Sequence, residues 1–220
     1  MGKRKLQRFA ELKILDRVFE PEGVYIKEQH PLKGNWSKVV FNNSSPIVLE
    51  LGCGKGEYTV NLAKKYPHKN FIGIDIKGAR IWRGVKTINE ENITNAAFLR
   101  VQIEQLMSFF DENEVSEIWL TFPDPQLQKS RQRKRLTSPK FLDIYEHILE
   151  SDGCVNLKTD SYELYEYTNE VLKEKALQVL LSTDHLYESN VTEDVKAIKT
   201  TYEKIFLKLG KQICYVKFKF

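Results

Sequence analysis

From Ile47 onward the chain alternates short runs of consecutive apolar residues with stretches in which apolar positions recur every three or four residues. Unbroken apolar runs mark strands buried on both faces, and the longer period marks helices with one buried stripe. The strand-like runs are PIVLEL, NFIGID, AAFLRV, EIWLTF and CVNLKT. Helical patterns follow them in turn: through Tyr66, to about Glu91, from Ile103 to Phe110, from Ser138 to Glu150 and from Tyr162 to Lys173. Thr137, Ser138 and Pro139 open the fourth helix with capping chemistry. The alternation predicts an α/β fold, a mostly parallel central sheet with helices on both faces. The tail reads differently. LQVLLST, a polar stretch from Glu188 to Asp194, a helix near Ile198 to Lys208 and a final QICYVKFKF predict an antiparallel addition to that sheet.

Ahead of this pattern, Leu6, Phe9, Leu12, Leu15 and Val18 recur at helical spacing among Lys3, Arg4, Lys5, Arg8 and Lys13. They predict a basic amphipathic helix, one that either packs on the domain with a solvated charged face or contacts a polyanion. The chain divides on this reading into a basic N-terminal arm and linker, residues 1–46, and a catalytic-type domain, residues 47–220.

Composition narrows the partners only slightly. With 220 residues, 41% of them hydrophobic, and a formal net charge of +4, the chain suits one globular domain that tolerates a polyanion without requiring one. The 3 cysteines, Cys53, Cys154 and Cys214, form no CxxC pair, which points to reduced thiols and a cytoplasmic home. The 4 histidines are scattered, so no metal site is expected. No run approaches the length of a membrane span. Monomer and homodimer are equally compatible with the pattern.

The sharpest local signal is Ile47-Val48-Leu49-Glu50-Leu51-Gly52-Cys53-Gly54-Lys55-Gly56, an apolar strand running into glycines that turn tightly and admit a ligand to the backbone. Glu57 occupies the position where a dinucleotide fingerprint would place its third glycine. Glu50, a carboxylate just before the turn, opposes a pyrophosphate and favours a sulfonium amino acid. Asp75 closes the next strand, placed to accept the ribose hydroxyls of an adenosine. The bland alternative is a tight strand-to-helix turn that binds nothing. The pairing of E-x-G-x-G-x-G with an acid at the end of the next strand resembles the class I S-adenosylmethionine-dependent methyltransferases, with their Rossmann-like fold. By the rule that ligands gather at the carboxyl ends of parallel strands, Gln102 to Glu104 should then lie near the adenine.

Glu117-Ile118-Trp119-Leu120-Thr121-Phe122-Pro123-Asp124-Pro125 puts an acid, braced by prolines, at the carboxyl end of the fourth strand. A dense basic run, Gln128-Lys129-Ser130-Arg131-Gln132-Arg133-Lys134-Arg135, comes next. Such runs are often solvated faces, but this position favours phosphate contacts by Arg131, Arg133, Lys134 and Arg135.

Taken in order, Glu50-x-Gly-x-Gly-x-Gly, Phe122-Pro123-Asp124-Pro125, Lys134-Arg135-Leu136, Leu157-Lys158-Thr159-Asp160 and Thr200-x-Tyr202-Glu203 with Gly210 resemble the bacterial tRNA (guanine-N7-)-methyltransferase family. The resemblance runs from about Gly34 to the C-terminus. It implies methyl transfer from S-adenosylmethionine to N7 of the variable-loop guanine of tRNA, forming 7-methylguanosine. Carried over, Glu50, Gly52, Gly54, Gly56, Asp75, Gln102 and Asp124 hold the cofactor, and Asp124 is the catalytic-site acid. Asp160 and Thr200, Thr201, Tyr202 and Glu203 contact the substrate. The chain departs from the family at Gln126, Gln128, Arg131, Gln102 and Ile205. Family members commonly carry Lys where Gln128 stands, and Lys129 is adjacent, so both are candidate substrate contacts.

Guanine N7 carries an unprotonated in-plane lone pair at neutral pH, so attack on a sulfonium methyl needs positioning and charge stabilisation rather than a strong base. Asp124 and Asp160 suit both tasks by accepting from guanine N1–H and its exocyclic amine. The rivals are methylation of another RNA base, a small-molecule methyltransferase, and a non-catalytic RNA-binding subunit that keeps the fold.

Overall fold

The computed structural model describes residues 3–21 and 29–220. Strands are β1 (Val18–Phe19), β2 (Ile47–Leu51), β3 (Asn70–Ile74), β4 (Ala96–Leu99), β5 (Val115–Thr121), β6 (Leu149–Thr159), β7 (Gln178–Thr183) and β8 (Cys214–Lys219). Helices are α1 (Lys3–Leu12), α2 (Glu57–Lys65), α3 (Gly78–Glu90), α4 (Pro139–Ile148), α5 (Tyr162–Glu174), α6 (Glu193–Ala197) and α7 (Thr201–Lys208). One sheet of 8 strands runs β1-β4-β3-β2-β5-β6-β8-β7. The parallel part and its covering helices match the apolar alternation, because β2 and β3 are buried at every position. β2 and β5 run parallel, and the order in which successive strands are added reverses between them, which makes the crevice where doubly wound sheets bind ligands.

The C-terminal strands refine the expected antiparallel addition. β8 inserts between β6 and β7 and pairs antiparallel with both, so β7 regains the direction of the parallel strands. β6 starts at Leu149, immediately after α4, where the apolar pattern had extended the helix to Glu150. The helix expected near Ile198 to Lys208 is α7, which begins three residues later at Thr201 and ends at Lys208; a short helix not expected, α6, precedes it, and an extended break separates the two. Thr200 makes that break: its side chain accepts the Glu203 amide at 3.1 Å and caps α7.

The N-terminal helix ends at Leu12, which is buried; Leu15 and Val18 lie beyond it and pack on the same cluster. α1 docks on α3, with Trp82 Nε1 donating to Glu11. The stretch before Ile47 also feeds the central core. Trp36, fully buried, donates to the Phe109 carbonyl at 2.8 Å and stacks on Phe110. Parts of the expected arm and linker, residues 1–2 and 22–28, lie outside the described residues.

Candidate active site

The turn after β2 is built from left-handed backbone. Gly52, Gly54 and Gly56 have φ of 77°, 56° and 71°, a region that costs side-chain-bearing residues about 1–2 kcal/mol each. Gly56 is also sterically obligatory, since a Cβ there would sit 2.5 Å from the Phe98 ring. At Gly52 a Cβ would point into open space. That space opens toward Asp75 and Gln102, with Lys134 and Phe141 on its far wall. Asp75 is tied to both neighbours, accepting from the Gly54 amide at 3.0 Å and the Lys77 amide at 2.8 Å. Gln102, Ile103 and Glu104 line this cleft.

Glu50 lies deeper, at 3% exposure. Its Oε2 accepts from the Thr59 amide at 2.8 Å and from Thr59 Oγ1, and its Oε1 accepts from Thr121 Oγ1 at 2.6 Å, across the switch between β2 and β5. No cation among the described residues comes within ion-pair distance of it. Burial therefore pushes its carboxyl up to about 7 despite the hydrogen bonds, with the Asp75 charge adding a smaller push. A buried carboxylate with hydroxyl partners and no cation fits a ligand that brings positive charge.

Asp124 is exposed on a strained loop. Phe122 and Gln126 have φ of 51° and 44°, conformations that persist only where the surroundings enforce them. The enforcement comes from Arg135. Its guanidinium donates to the Pro125 carbonyl at 2.9 Å and the Gln126 carbonyl at 3.4 Å, and lies 4.3 Å from the centre of the Tyr167 ring. Asp124 itself accepts the Gln126 amide at 3.0 Å. Arg135 is 4% exposed, so the expected phosphate contact is corrected to an internal brace, because the side chain is buried and two of its N–H donors go to backbone carbonyls. Arg131, Arg133 and Lys134 stay exposed on the short helical segment Lys129–Lys134, and Gln128 and Lys129 are exposed at its start.

A second, wider cleft joins Asp124 to Asp160, Lys77, Arg80, Tyr202 and Phe206. Asp160 is paired with Lys211 at 2.5 Å. Tyr202 is 54% exposed and stacks toward Phe206, which in turn meets Phe122. Thr200, Thr201 and Tyr202 also border the space near Glu50 and Gly54, and Thr201 is fixed there by its amide and hydroxyl donating to Glu57 at 2.7 and 2.6 Å. Glu203, expected as a substrate contact, is turned away from this cleft and fully buried. Its Oε1 accepts from Lys158 Nζ at 2.7 Å and Tyr187 at 2.6 Å. Lys158, Arg135 and Thr121 are the structurally important residues that sequence reasoning gave no such role. The fragment Leu157-Lys158-Thr159-Asp160 held a signal, an ionisable residue inside an otherwise apolar strand.

A family model described as "Putative methyltransferase" matches residues 44–216. The tRNA (guanine-N(7)-)-methyltransferase of Christiangramia forsetii is 48% identical over 220 residues, covering 99% of this chain and 98% of that protein. The tRNA (guanine-N(7)-)-methyltransferase of Bacteroides fragilis is 48% identical, covering 99% of this chain and 86% of that protein. Among solved structures, the 16S rRNA methyltransferase KamB superposes with a TM-score of 0.64 at 14% identity, over 89% of this chain and 96% of that one. That likeness concerns the fold alone.

Proposed function

The chain belongs to the tRNA (guanine-N(7)-)-methyltransferase family, and from that premise we propose how its residues carry out methyl transfer to guanine N7 of tRNA. The enzyme is S-adenosylmethionine-dependent; that cofactor, when bound, supplies an electrophilic methyl on a sulfonium. The observation that carries the residue assignment is that the space bordered by Glu50 adjoins the cleft at Asp75 through Gly52 and the cleft at the braced Asp124 through Arg80 and Tyr202.

Glu50 and the open glycine turn after β2 would hold the amino-acid end of the cofactor, Asp75 would accept from the ribose, and Gln102 would border the adenine. Asp124 and Asp160 orient the guanine by accepting from its N1–H and amine, and offset the positive charge that methylation places on the purine. Because N7 needs no deprotonation, the rate rests on alignment, which is what a loop held by Arg135 provides. Tyr202, over the shared wall of both clefts, offers a face for stacking the target base. Arg131, Arg133 and Lys134 receive backbone phosphates, with Gln128 and Lys129 at the mouth. The target is the variable-loop guanine, in the cytoplasm where tRNA is matured. No described helix is long and apolar enough to cross a membrane, and the described residues hold no cluster of 3 or more His, Cys, Asp or Glu suited to a metal.

The test is transfer of labelled methyl from S-adenosylmethionine to unfractionated bacterial tRNA, followed by nucleoside analysis. Wild type yields 7-methylguanosine, and Asp124→Ala loses about 10²–10³ in kcat. Methyl on a different nucleoside, or an undiminished rate for Asp124→Ala, sinks this assignment.

A further inference from the structure

Several basic side chains of this surface are neutralised by an acid. Lys64 meets Glu91, Lys65 meets Asp194, Arg100 meets Glu20, Lys140 meets Glu104 and Lys175 meets Asp143, all within 3.4 Å. The basic side chains of the first half of α3 are not. Lys77, which caps the helix, and Arg80 and Arg83 are exposed and enter no ion pair among the described residues. They lie at i, i+3 and i+6, hence along one solvent-facing stripe. The stripe ends one turn later, where Lys86 is neutralised by Glu90 at 3.7 Å.

The packing of α1 extends this charge. Arg8 lies 4.7 Å from the centre of the Trp82 ring and donates to the Ala79 carbonyl at 3.4 Å. A further cation is thereby fixed beside the first turn of α3. Arg80 borders both the space near Glu50 and the wider cleft that holds Asp124, and Lys77 borders the latter. Lys134 stands on the other rim, across the space bordered by Asp75 and Ile76. Two sets of unpaired cations thus flank the crevice where the base is methylated.

We propose that Lys77, Arg80 and Arg83, supplemented by Arg8, form a second phosphate-binding stripe that grips the tRNA backbone on the α3 side of the crevice. Lys129 to Lys134 grip it on the other. This rests on the reading of tRNA as substrate. A nucleic-acid backbone is the occupant favoured by the chemistry: successive cations that enter no ion pair among the described residues, rising along a helix for roughly 9 Å between Lys77 and Arg83, match a row of phosphates. Guanidinium groups also bind phosphate bidentately. With anchors on both rims, the backbone is held while its base is drawn between them.

Arg83 is the diagnostic position, because it lies outside both clefts. Direct tRNA binding and steady-state kinetics are measured from 50 to 200 mM salt for wild type, Arg83→Ala, Arg80→Ala/Arg83→Ala and Arg83→Lys. Lys219→Ala, on β8 in the far half of the sheet, controls for net charge. The expected result is a several-fold rise in Kd and KM for tRNA with Arg83→Ala and a larger rise with the double variant. The slope of log affinity against log salt falls by about one per lost contact, Arg83→Lys partly restores binding, and the Kd for S-adenosylhomocysteine stays constant in the Arg83 single variants. Variants that match Lys219→Ala in tRNA affinity and salt slope overturn the stripe. A wild-type enzyme that binds tRNA with these dependences yet forms no 7-methylguanosine overturns the functional reading and leaves the stripe standing.

Discussion

Lys158 Nζ lies 2.7 Å from Glu203 Oε1, both side chains are fully buried, and the pair ties the central strand β6 to the helix α7. The same ammonium donates to the Val195 and Ile198 carbonyls at 3.2 and 3.3 Å. One cation therefore fixes the whole segment that delivers Thr200, Thr201 and Tyr202 to the crevice. Burial pulls the Lys158 ammonium below its usual range, and the Glu203 carboxylate opposes that pull.

Removing one partner strands the other charge in the core. Glu203→Ala and Lys158→Ala are each expected to lose about 3–5 kcal/mol of stability, read by urea denaturation. If α7 is held chiefly by apolar contacts instead, the loss shrinks to that of a surface ion pair, under about 1 kcal/mol.

Arg135 and its neighbours should separate by salt dependence. Arg135→Ala frees the Pro125 and Gln126 carbonyls and the strained loop they belong to. Its kcat falls while the salt slope of tRNA binding is retained. Arg131→Ala and Arg133→Ala, which lack such partners, reduce the slope by about one each and leave kcat nearer to wild type. A reduced slope for Arg135→Ala would return it to the phosphate contacts.

Glu50 makes both stability and cofactor affinity depend on pH. Its folded carboxyl titrates near 7, above the ordinary 4.5, so between those values the folded state holds a proton that the unfolded chain has released. Its contribution to stability is full at low pH and is lost as pH rises toward 7, with a limiting slope of about 1.4 kcal/mol per pH unit. A cationic ligand favours the ionised carboxylate, so S-adenosylmethionine affinity rises with pH up to about 7 and then levels. Glu50→Gln removes both trends. Calorimetric titration across pH 5.5–8, in buffers of differing ionisation enthalpy, measures the proton released, and identical profiles for wild type and variant refute the assignment.

Alanine at Gly52 and at Gly56 should fail for different reasons. Both positions have left-handed backbone, but only at Gly56 would the new Cβ collide with Phe98 and approach Gly84. Gly56→Ala is expected to lower the melting temperature markedly. Gly52→Ala carries mainly the backbone cost of about 1–2 kcal/mol, and its methyl enters the cofactor space, so S-adenosylhomocysteine affinity drops more than stability does.

The alternation of β2 through α5, the glycine turn and Asp75 were legible in the sequence because each follows from local rules. A strand covered on both faces must be apolar throughout, and a left-handed turn must be glycine. The ordered motifs identified the family for the same reason, since they record residue types at fixed spacing. Tertiary structure alone decided the rest. Arg133, Lys134 and Arg135 are equivalent as sequence, yet Arg135 turns inward, because the carbonyls that satisfy it come from residues 9 and 10 positions away. Glu203 reads as one more polar residue beside Tyr202, until β6 supplies Lys158 across a separation of 45 residues. Likewise, the insertion of β8 between β6 and β7 depends on pairing with strands far away in the chain. Charge and polarity are properties of residues. Whether a charge meets solvent, a phosphate or a buried partner depends on long-range packing, and only the folded chain determines that.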